Sequence, residues 1–306
     1  MAERRIYMEN NYNIFETTDF NSDLWDKLHG AYGNILEDIK PLAVKEPDVP
    51  ENEKTLYTSF KSDYMVAFDN ICCTLAHQMS FYPASYIALP YLANAFNYWY
   101  EKDDFIMQVL FLLNVGIIVS TDIGYNTEYY KSTRESLPED VMQNYQDSIL
   151  FFKEKAEELL SNKLDMLKQP DLFKPVDLTY ICISLLALIG KKEHAFAFLL
   201  GNFDQCIISC KNCGLYTEDI ELDNDYMKNT IQELNSLITP AAPVTGQWDK
   251  KSFDNTYIWL SNVLQLLGND NDAAKLSYFY GTFNCPECGA KTGPVVDLYM
   301  EALFEE

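Results

Sequence analysis

Two short cysteine motifs constrain the fold of this chain more than any other feature. Cys210-Lys-Asn-Cys213-Gly and Cys285-Pro-Glu-Cys288-Gly share the same C-x-x-C-G spacing. Four thiolates fill the tetrahedral coordination of a zinc ion and leave no position for water or substrate. We therefore predict a structural zinc bound by Cys210, Cys213, Cys285 and Cys288, and no catalytic zinc. The alternatives are two separate redox dithiols or a site that has lost its metal.

Similar sequence precedes each motif, at a period of about 75 residues. The matching segments are Thr179-Tyr-Ile and Thr256-Tyr-Ile, Leu188-Ile-Gly and Leu266-Leu-Gly, and Gly201-Asn-Phe and Gly281-Thr-Phe. This repeat predicts two helical hairpins, each of which delivers one knuckle to a shared ion. Structural zinc contributes about 10–16 kcal/mol of apparent binding free energy to folding.

Apolar residues recur at helical spacing along most of the chain, as at Tyr64, Phe68, Ile71 and Leu75. The pattern predicts helices at about 60–79, 84–99, 102–119, 138–167, 177–189, 191–200, 225–237, 249–267 and 270–280, with a polar loop at 120–137 and a strand at 215–222. Helix pairs joined by short turns are typical of an α-solenoid. We predict a mainly α fold of HEAT-like hairpins, with a helical repeat region at 1–200 and a zinc-knuckle region, zinc-ribbon-like in part, at 201–306.

The chain is strongly acidic, with 46 Asp and Glu against 23 Lys and Arg, for a net charge of −23. Such a field repels nucleic acid and anionic membranes and attracts cationic proteins. A simpler interpretation is that the acidic surface only keeps the protein in solution. The prediction is a protein partner of positive charge, without nucleic acid or membrane, and the oligomeric state stays open.

The start of the chain lacks the apolar stretch of a secretory signal, and the apolar run from Phe105 to Val119 is too short to span a bilayer. Eight cysteines without such a signal indicate reduced thiols and a cytoplasmic protein. Of the cysteines outside the knuckles, Cys72, Cys73 and Cys182 fall in apolar helical stripes and are predicted core residues, and Cys206 is an alternative metal ligand.

No other motif points to a reaction. The three histidines, His29, His77 and His194, form no helical metal pair, and the nucleophile elbow and the glycine-rich nucleotide loops are missing from the sequence. We therefore predict no catalytic residue and no residue that binds a further cofactor.

Two segments near the start resemble a group of uncharacterised bacterial HEAT-like α-helical repeat proteins. The first is Trp25-Asp-Lys-Leu-His29-Gly-Ala-Tyr32-Gly, and the second runs from His77-Gln through Tyr82-Pro-Ala-Ser to Ala88-Leu-Pro-Tyr-Leu. Members of the group also carry late C-x-x-C-G knuckles. The resemblance implies an α-solenoid and no established activity. This chain has Met79 where the group has Gly, and a single His before Gly30 where a pair is usual.

The leading hypothesis is a non-enzymatic protein-binding scaffold with a structural four-cysteine zinc. A specific form of it is an immunity-type inhibitor whose acidic face binds a basic toxin. One alternative is an enzyme with a groove site built from His77 and nearby acids or tyrosines. Another is a zinc-ribbon protein associated with nucleic acid, against which the net charge counts.

Overall fold

Helices dominate the secondary structure, which confirms the mainly α prediction. The computed structural model describes residues 13–44, 46–57, 59–123, 128–169, 171–201, 205–222, 231–244 and 253–304. The chain divides into two units, Met1–Glu154 and Lys155–Glu306. The division into a repeat region and a knuckle region at residue 200 stays a prediction, and so does the solenoid arrangement.

The helices that begin in the first unit are α1 (Leu24–Lys27), α2 (Leu36–Leu42), α3 (Asp63–Leu75), α4 (Ser85–Glu101), α5 (Phe105–Thr121), α6 (Glu128–Ser136) and α7 (Glu139–Glu158), with 3₁₀ turns at Glu51–Glu53 and His77–Met79. Local caps set several of these ends. The Asp104 side chain accepts a hydrogen bond from the Met107 N–H, so α5 begins at Phe105 and not at 102. Buried Glu53 accepts hydrogen bonds from the Lys61 and Ser62 N–H groups just before α3.

Aromatic side chains fill much of the core of the first unit. The rings of Phe68 and Phe111 lie 4.4 Å apart between centroids, and those of Phe96 and Phe152 lie 5.5 Å apart, edge to face. Helix α5 is buried along most of its length, as predicted for its apolar run. Edge-to-face and tilted ring pairs pack large apolar areas, which accounts for the high Phe and Tyr content.

The prediction of a polar loop over 120–137 is wrong, because α6 occupies Glu128–Ser136. Residues 131–136 are mostly exposed to solvent. An exposed helix needs no apolar stripe, so a pattern search based on hydrophobicity fails to detect it. The 3₁₀ turn at His77–Met79 likewise ends the long helix predicted over 60–79 at Leu75.

The second unit contains α8 (Pro175–Leu188), α9 (Lys192–Leu200), β1 (Gln205–Ser209), β2 (Tyr216–Glu221), α10 (Ile231–Leu237), β3 (Ile238–Thr239), α11 (Thr256–Leu266), α12 (Asp270–Phe279), β4 (Thr282–Asn284), β5 (Lys291–Thr292) and α13 (Val295–Phe304). The strand predicted at 215–222 is confirmed as β2. It pairs antiparallel with β1, and β4 pairs antiparallel with β3 and β5.

Some boundaries differ from the sequence-based ones. Helix α7 ends at Glu158 and continues as a π turn (Leu159–Lys163) and a 3₁₀ turn (Leu164–Lys168), where one helix to 167 was predicted. Helix α11 begins at Thr256 because the Asn255 side chain accepts from the Ile258 N–H. The earlier parts of the helices predicted at 225–237 and 249–267 fall largely outside the described residues.

The two predicted hairpins have the same order of elements. The first copy runs α8, α9, β1, knuckle and β2, and the second runs α11, α12, β4, knuckle and β5. In both, a glycine with positive φ follows the first helix, Gly190 at 98° and Gly268 at 81°. In the described part of the chain, no helix combines the length and the apolar character that crossing a membrane requires.

Candidate metal centre

The four predicted cysteines come together in the second unit. The Cys210 and Cys288 sulfurs lie 3.8 Å apart, and the Cys213 and Cys285 sulfurs 3.6 Å apart. All four Sγ atoms lie within 4.8 Å of one another. Sulfurs about 2.3 Å from one metal ion in a tetrahedron are about 3.8 Å apart. The cluster therefore has the dimensions of a four-thiolate metal site.

Pairing across the cluster is reciprocal. The first cysteine of each knuckle lies beside the second cysteine of the other, Cys210 with Cys288 and Cys285 with Cys213. Burial follows the same pattern, since Cys210 and Cys285 are buried whereas Cys213 and Cys288 are exposed. The two knuckles thus meet as equivalent halves, each with one buried and one exposed cysteine.

Matching backbone hydrogen bonds shape the two knuckles. The Cys210 N–H donates to the Leu215 carbonyl at 2.8 Å, and the Cys285 N–H donates to the Ala290 carbonyl at 2.9 Å. Gly214 and Gly289 donate back to the carbonyl oxygens of Cys210 and Cys285, at 2.8 and 3.0 Å.

Each glycine has a positive φ, 72° at Gly214 and 71° at Gly289. A side chain is disfavoured in this region, so the glycine of C-x-x-C-G is required by the turn itself. This confirms the positive φ expected from the sequence.

Hydrogen-bond donors around the sulfurs favour thiolates at two of the four cysteines. The N–H groups of Cys213 and Asn212 lower the pKa of Cys210. The Asn212 side-chain amide, followed by the Ala290 N–H, lowers the pKa of Cys288 to about 6. Amide donors directed at sulfur stabilise the charged form that binds metal.

Cys213 behaves in the opposite way because the thiols crowd one another. The Leu215 N–H favours its thiolate, but desolvation and hydrogen bonding with the neighbouring thiols raise the pKa of Cys213 to about 12. Four adjacent thiolates repel one another unless a cation lies between them. The cluster is therefore a site that metal binding would deprotonate fully.

The remaining cysteines lie outside this cluster. Cys72 and Cys182 are buried core residues, as predicted, and burial raises the pKa of each thiol. Cys73 is exposed, so its core prediction is wrong; it lies one position off the buried face of α3. Cys206 is buried in β1 and is not one of the four clustered ligands among the described residues.

The three histidines occupy separate places. His29 is exposed. His77 lies after α3, and its Nδ1 is 2.9 Å from the hydroxyl of Tyr32, a residue 71% exposed. His194, in α9, has its Nδ1 3.0 Å from the Tyr280 hydroxyl and its Nε2 3.7 Å from an Asp297 carboxylate oxygen.

Sequence reasoning missed two residues that support the centre. Asn212, inside the first knuckle, reaches Cys288 of the second. Lys211 pairs with Glu301 of α13 at 2.7 Å, which links the first knuckle to the last described helix. A C-x-x-C pattern does not indicate what its two intervening residues contact, so neither role is readable from spacing.

Comparison of the chain with protein-family models, with curated proteins and with solved structures finds no match. The geometry of the second unit is therefore the basis for assigning this site.

Proposed function

We propose that the chain is a non-enzymatic protein-binding scaffold whose knuckle region is stapled by one structural zinc ion. The observation that carries this proposal is the closeness of the four sulfurs, all within 4.8 Å. Zinc is the metal that four-cysteine structural sites of this C-x-x-C spacing most commonly hold. With four protein ligands its coordination is closed, so it supports the fold and does not activate water.

Replacement of one exposed cysteine of the cluster tests the metal. Cys213→Ser leaves three thiolates and is expected to lower both the zinc content of the purified protein and its melting temperature. Cys73→Ser, another exposed thiol in the chain, is the matched control and should leave both unchanged. Metal analysis that finds no zinc in the wild-type protein, or a Cys213→Ser variant as stable as the wild type, contradicts the proposal.

The net charge supports binding to a basic partner, and the free thiols support a cytoplasmic location. The chain carries a net charge of −23, which speeds association with a basic partner. The eight cysteines form no disulfides, and reduced thiols are typical of proteins in the cytoplasm, which is where we place this one. An inhibitor of a basic toxin is the specific form of this function.

Affinity capture from the native cell tests the partner. The expected result is recovery of a cationic protein whose retention falls as salt rises, because long-range attraction between surface charges is screened within about 10 Å at 0.1 M salt. A partner whose retention does not change with salt contradicts binding driven by charge. This outcome is independent of whether the protein contains zinc.

A further inference from the structure

The four-cysteine cluster is exposed to solvent at both knuckles. In each knuckle, the second cysteine, the glycine after it and the two residues between the cysteines are all exposed. Cys213 and Cys288 are these exposed cysteines, whereas Cys210 and Cys285 are buried. Four protein ligands exclude a substrate from a zinc ion, but they do not shield a cysteine that faces solvent. A small oxidant can therefore reach one cysteine of each knuckle.

Each exposed cysteine lies beside a buried cysteine of the other knuckle. The Cys288 sulfur is 3.8 Å from the Cys210 sulfur, and the Cys213 sulfur is 3.6 Å from the Cys285 sulfur. A disulfide bond is about 2.05 Å long, so each pair must close by less than about 2 Å to form one. Cysteines that respond to oxidants are accessible and have a second cysteine next to them that resolves the first oxidation product. Both pairs between the knuckles meet these two requirements.

We propose that a hydroperoxide oxidises this cluster to two disulfides between the knuckles, Cys210–Cys288 and Cys213–Cys285. The exposed thiolate of a pair attacks the terminal peroxide oxygen, so that an S–O bond forms, the O–O bond breaks, and the alkoxide or hydroxide that leaves takes up a proton. The product is a sulfenic acid. The buried thiolate then attacks the sulfenic sulfur, so that the S–S bond forms and the S–O bond breaks. The hydroxide that leaves is protonated to water, and each pair has given two electrons to one peroxide.

Oxidation would remove all four ligands of the proposed zinc, because the thiolate is the form of cysteine that binds metal. In this respect the inference rests on the proposed function. The two disulfides would join residues 78 and 72 positions apart in the sequence. Cross-links over such long loops restrict the unfolded chain and favour the folded one. The knuckles therefore stay joined while zinc is released, and a covalent link takes the place of the metal.

Titration of the full reduced chain with hydrogen peroxide tests the release. A chromophoric zinc indicator is expected to report loss of the zinc after about two equivalents of peroxide, and dithiothreitol should restore zinc binding. Cys73→Ser removes an exposed thiol outside the cluster, so it is the matched control and should release zinc like the wild type. Retention of zinc after peroxide, or a release that is lost in Cys73→Ser, overturns the proposal.

The sequence allows the disulfides to be mapped without ambiguity. Lys211 separates Cys210 from Cys213 on cleavage by trypsin, and Glu287 separates Cys285 from Cys288 on cleavage after glutamate. The expected products after oxidation are peptide 194–211 linked to 288–291, and peptide 212–218 linked to 276–287. Links between 194–211 and 212–218, or between 276–287 and 288–291, would show disulfides inside each knuckle and overturn the proposal. Links of 194–211 to 276–287 and of 212–218 to 288–291 would show the other pairing and also overturn it.

Peptide 194–211 also contains Cys206, which is buried in β1. Fragmentation of the linked peptide in the mass spectrometer distinguishes Cys206 from Cys210. A link to Cys206 contradicts the assigned pair.

The melting temperature compares the two kinds of link. The oxidised protein is expected to melt at a higher temperature than the reduced protein in the presence of a chelator, because the disulfides restrict the unfolded chain. An oxidised protein that melts at or below the temperature of the chelated one overturns the replacement of zinc by disulfides. Zinc analysis of the untreated reduced protein tests the proposed function separately. A protein without zinc contradicts the structural zinc, and the disulfide map of the same sample then decides the pairing by itself.

Discussion

The two knuckle copies of the second unit share a backbone and differ in what surrounds it. Both run from a helix pair through a short strand to a C-x-x-C-G turn, with matching hydrogen bonds inside the turn. At equivalent positions, however, the first knuckle has Asn212 where the second has Glu287. The Asn212 amide donates to Cys288, whereas a glutamate carboxylate has no N–H to donate.

The second helices of the copies also begin differently. Asn269 caps α12 and is 6% exposed. Its amide donates to the Pro175 carbonyl at 3.0 Å and to the Thr179 hydroxyl at 2.6 Å, which joins the start of α8 to the start of α12. The equivalent residue of the first copy, Lys191, makes no side-chain cap. The C-x-x-C-G turn has the same geometry in both copies, whereas the start of the second helix is held by different residues in each copy.

Removal of the proposed zinc should have the largest effect, because the zinc would be bound by both copies together. At a free zinc concentration 1,000-fold above the dissociation constant, binding stabilises the folded state by about 4 kcal/mol. A chelator is therefore expected to lower the free energy of unfolding by about that amount, measured by denaturant titration. Identical unfolding curves with and without chelator contradict a zinc ion that stabilises the fold.

Replacement of Asn269 should have the next largest effect. Asn269→Ala removes a helix cap and leaves the Pro175 carbonyl and the Thr179 hydroxyl without this donor, for an expected loss of about 2 kcal/mol. Lys191→Ala at the equivalent position is the matched control, with an expected change below about 0.5 kcal/mol. Similar losses for both variants would show that the copies are anchored alike.

Asn212→Ala sharpens the comparison at the metal. Loss of the amide that donates to Cys288 is expected to weaken zinc binding at least about tenfold, the usual effect of removing a hydrogen bond to a metal ligand. Competition with a chromophoric chelator measures the affinity. Glu287→Ala, which alters the same position of the other knuckle, should weaken binding less, and the reverse order contradicts the assigned role of Asn212.

The smallest effect concerns pH. His194 occupies the position that Asp272 holds in the second copy, and burial lowers the pKa of His194 below its ordinary 6.5. As pH falls through about 6.5 the unfolded state takes up a proton that the folded state resists, so the free energy of unfolding decreases. His194→Gln should reduce this decrease, as measured by the melting temperature at pH 7.5 and 5.5. Acid would release bound metal from the wild type and from His194→Gln alike, so the difference between their melting-temperature decreases isolates the effect of the histidine. Equal decreases in the two proteins contradict a contribution from His194.

The sequence sufficed for features that depend on local chemistry. Cysteine spacing predicted that the four sulfurs would lie together, and apolar spacing predicted most of the helices. The positive φ of Gly214 and Gly289 was predicted from the residue type at the end of each turn. These features depend on a few residues that are close together in the sequence, so they can be predicted without knowledge of distant contacts.

Other features depend on distant partners and were not predictable from pattern. Residues 131–136 of α6 are mostly exposed and show no apolar repeat. Strands β1 and β4 were not predicted, because strands of five residues or fewer gain stability only by pairing. Helix α13 was not predicted either. The backbone at Ile14 and Phe15 is held by the side chain of Asn94, about 80 residues away along the sequence. Spacing along the chain contains no information about such a contact.

The separation of the two knuckles along the sequence also has a consequence for biosynthesis. Ribosomes add about 5–20 residues per second, so the roughly 75 residues between the knuckles take about 4 to 15 seconds to make. During that interval Cys210 and Cys213 emerge as an incomplete chelate, open to oxidants and to competing soft metals. Protection of a nascent dithiol is thus a requirement that the order of the chain imposes on the cell.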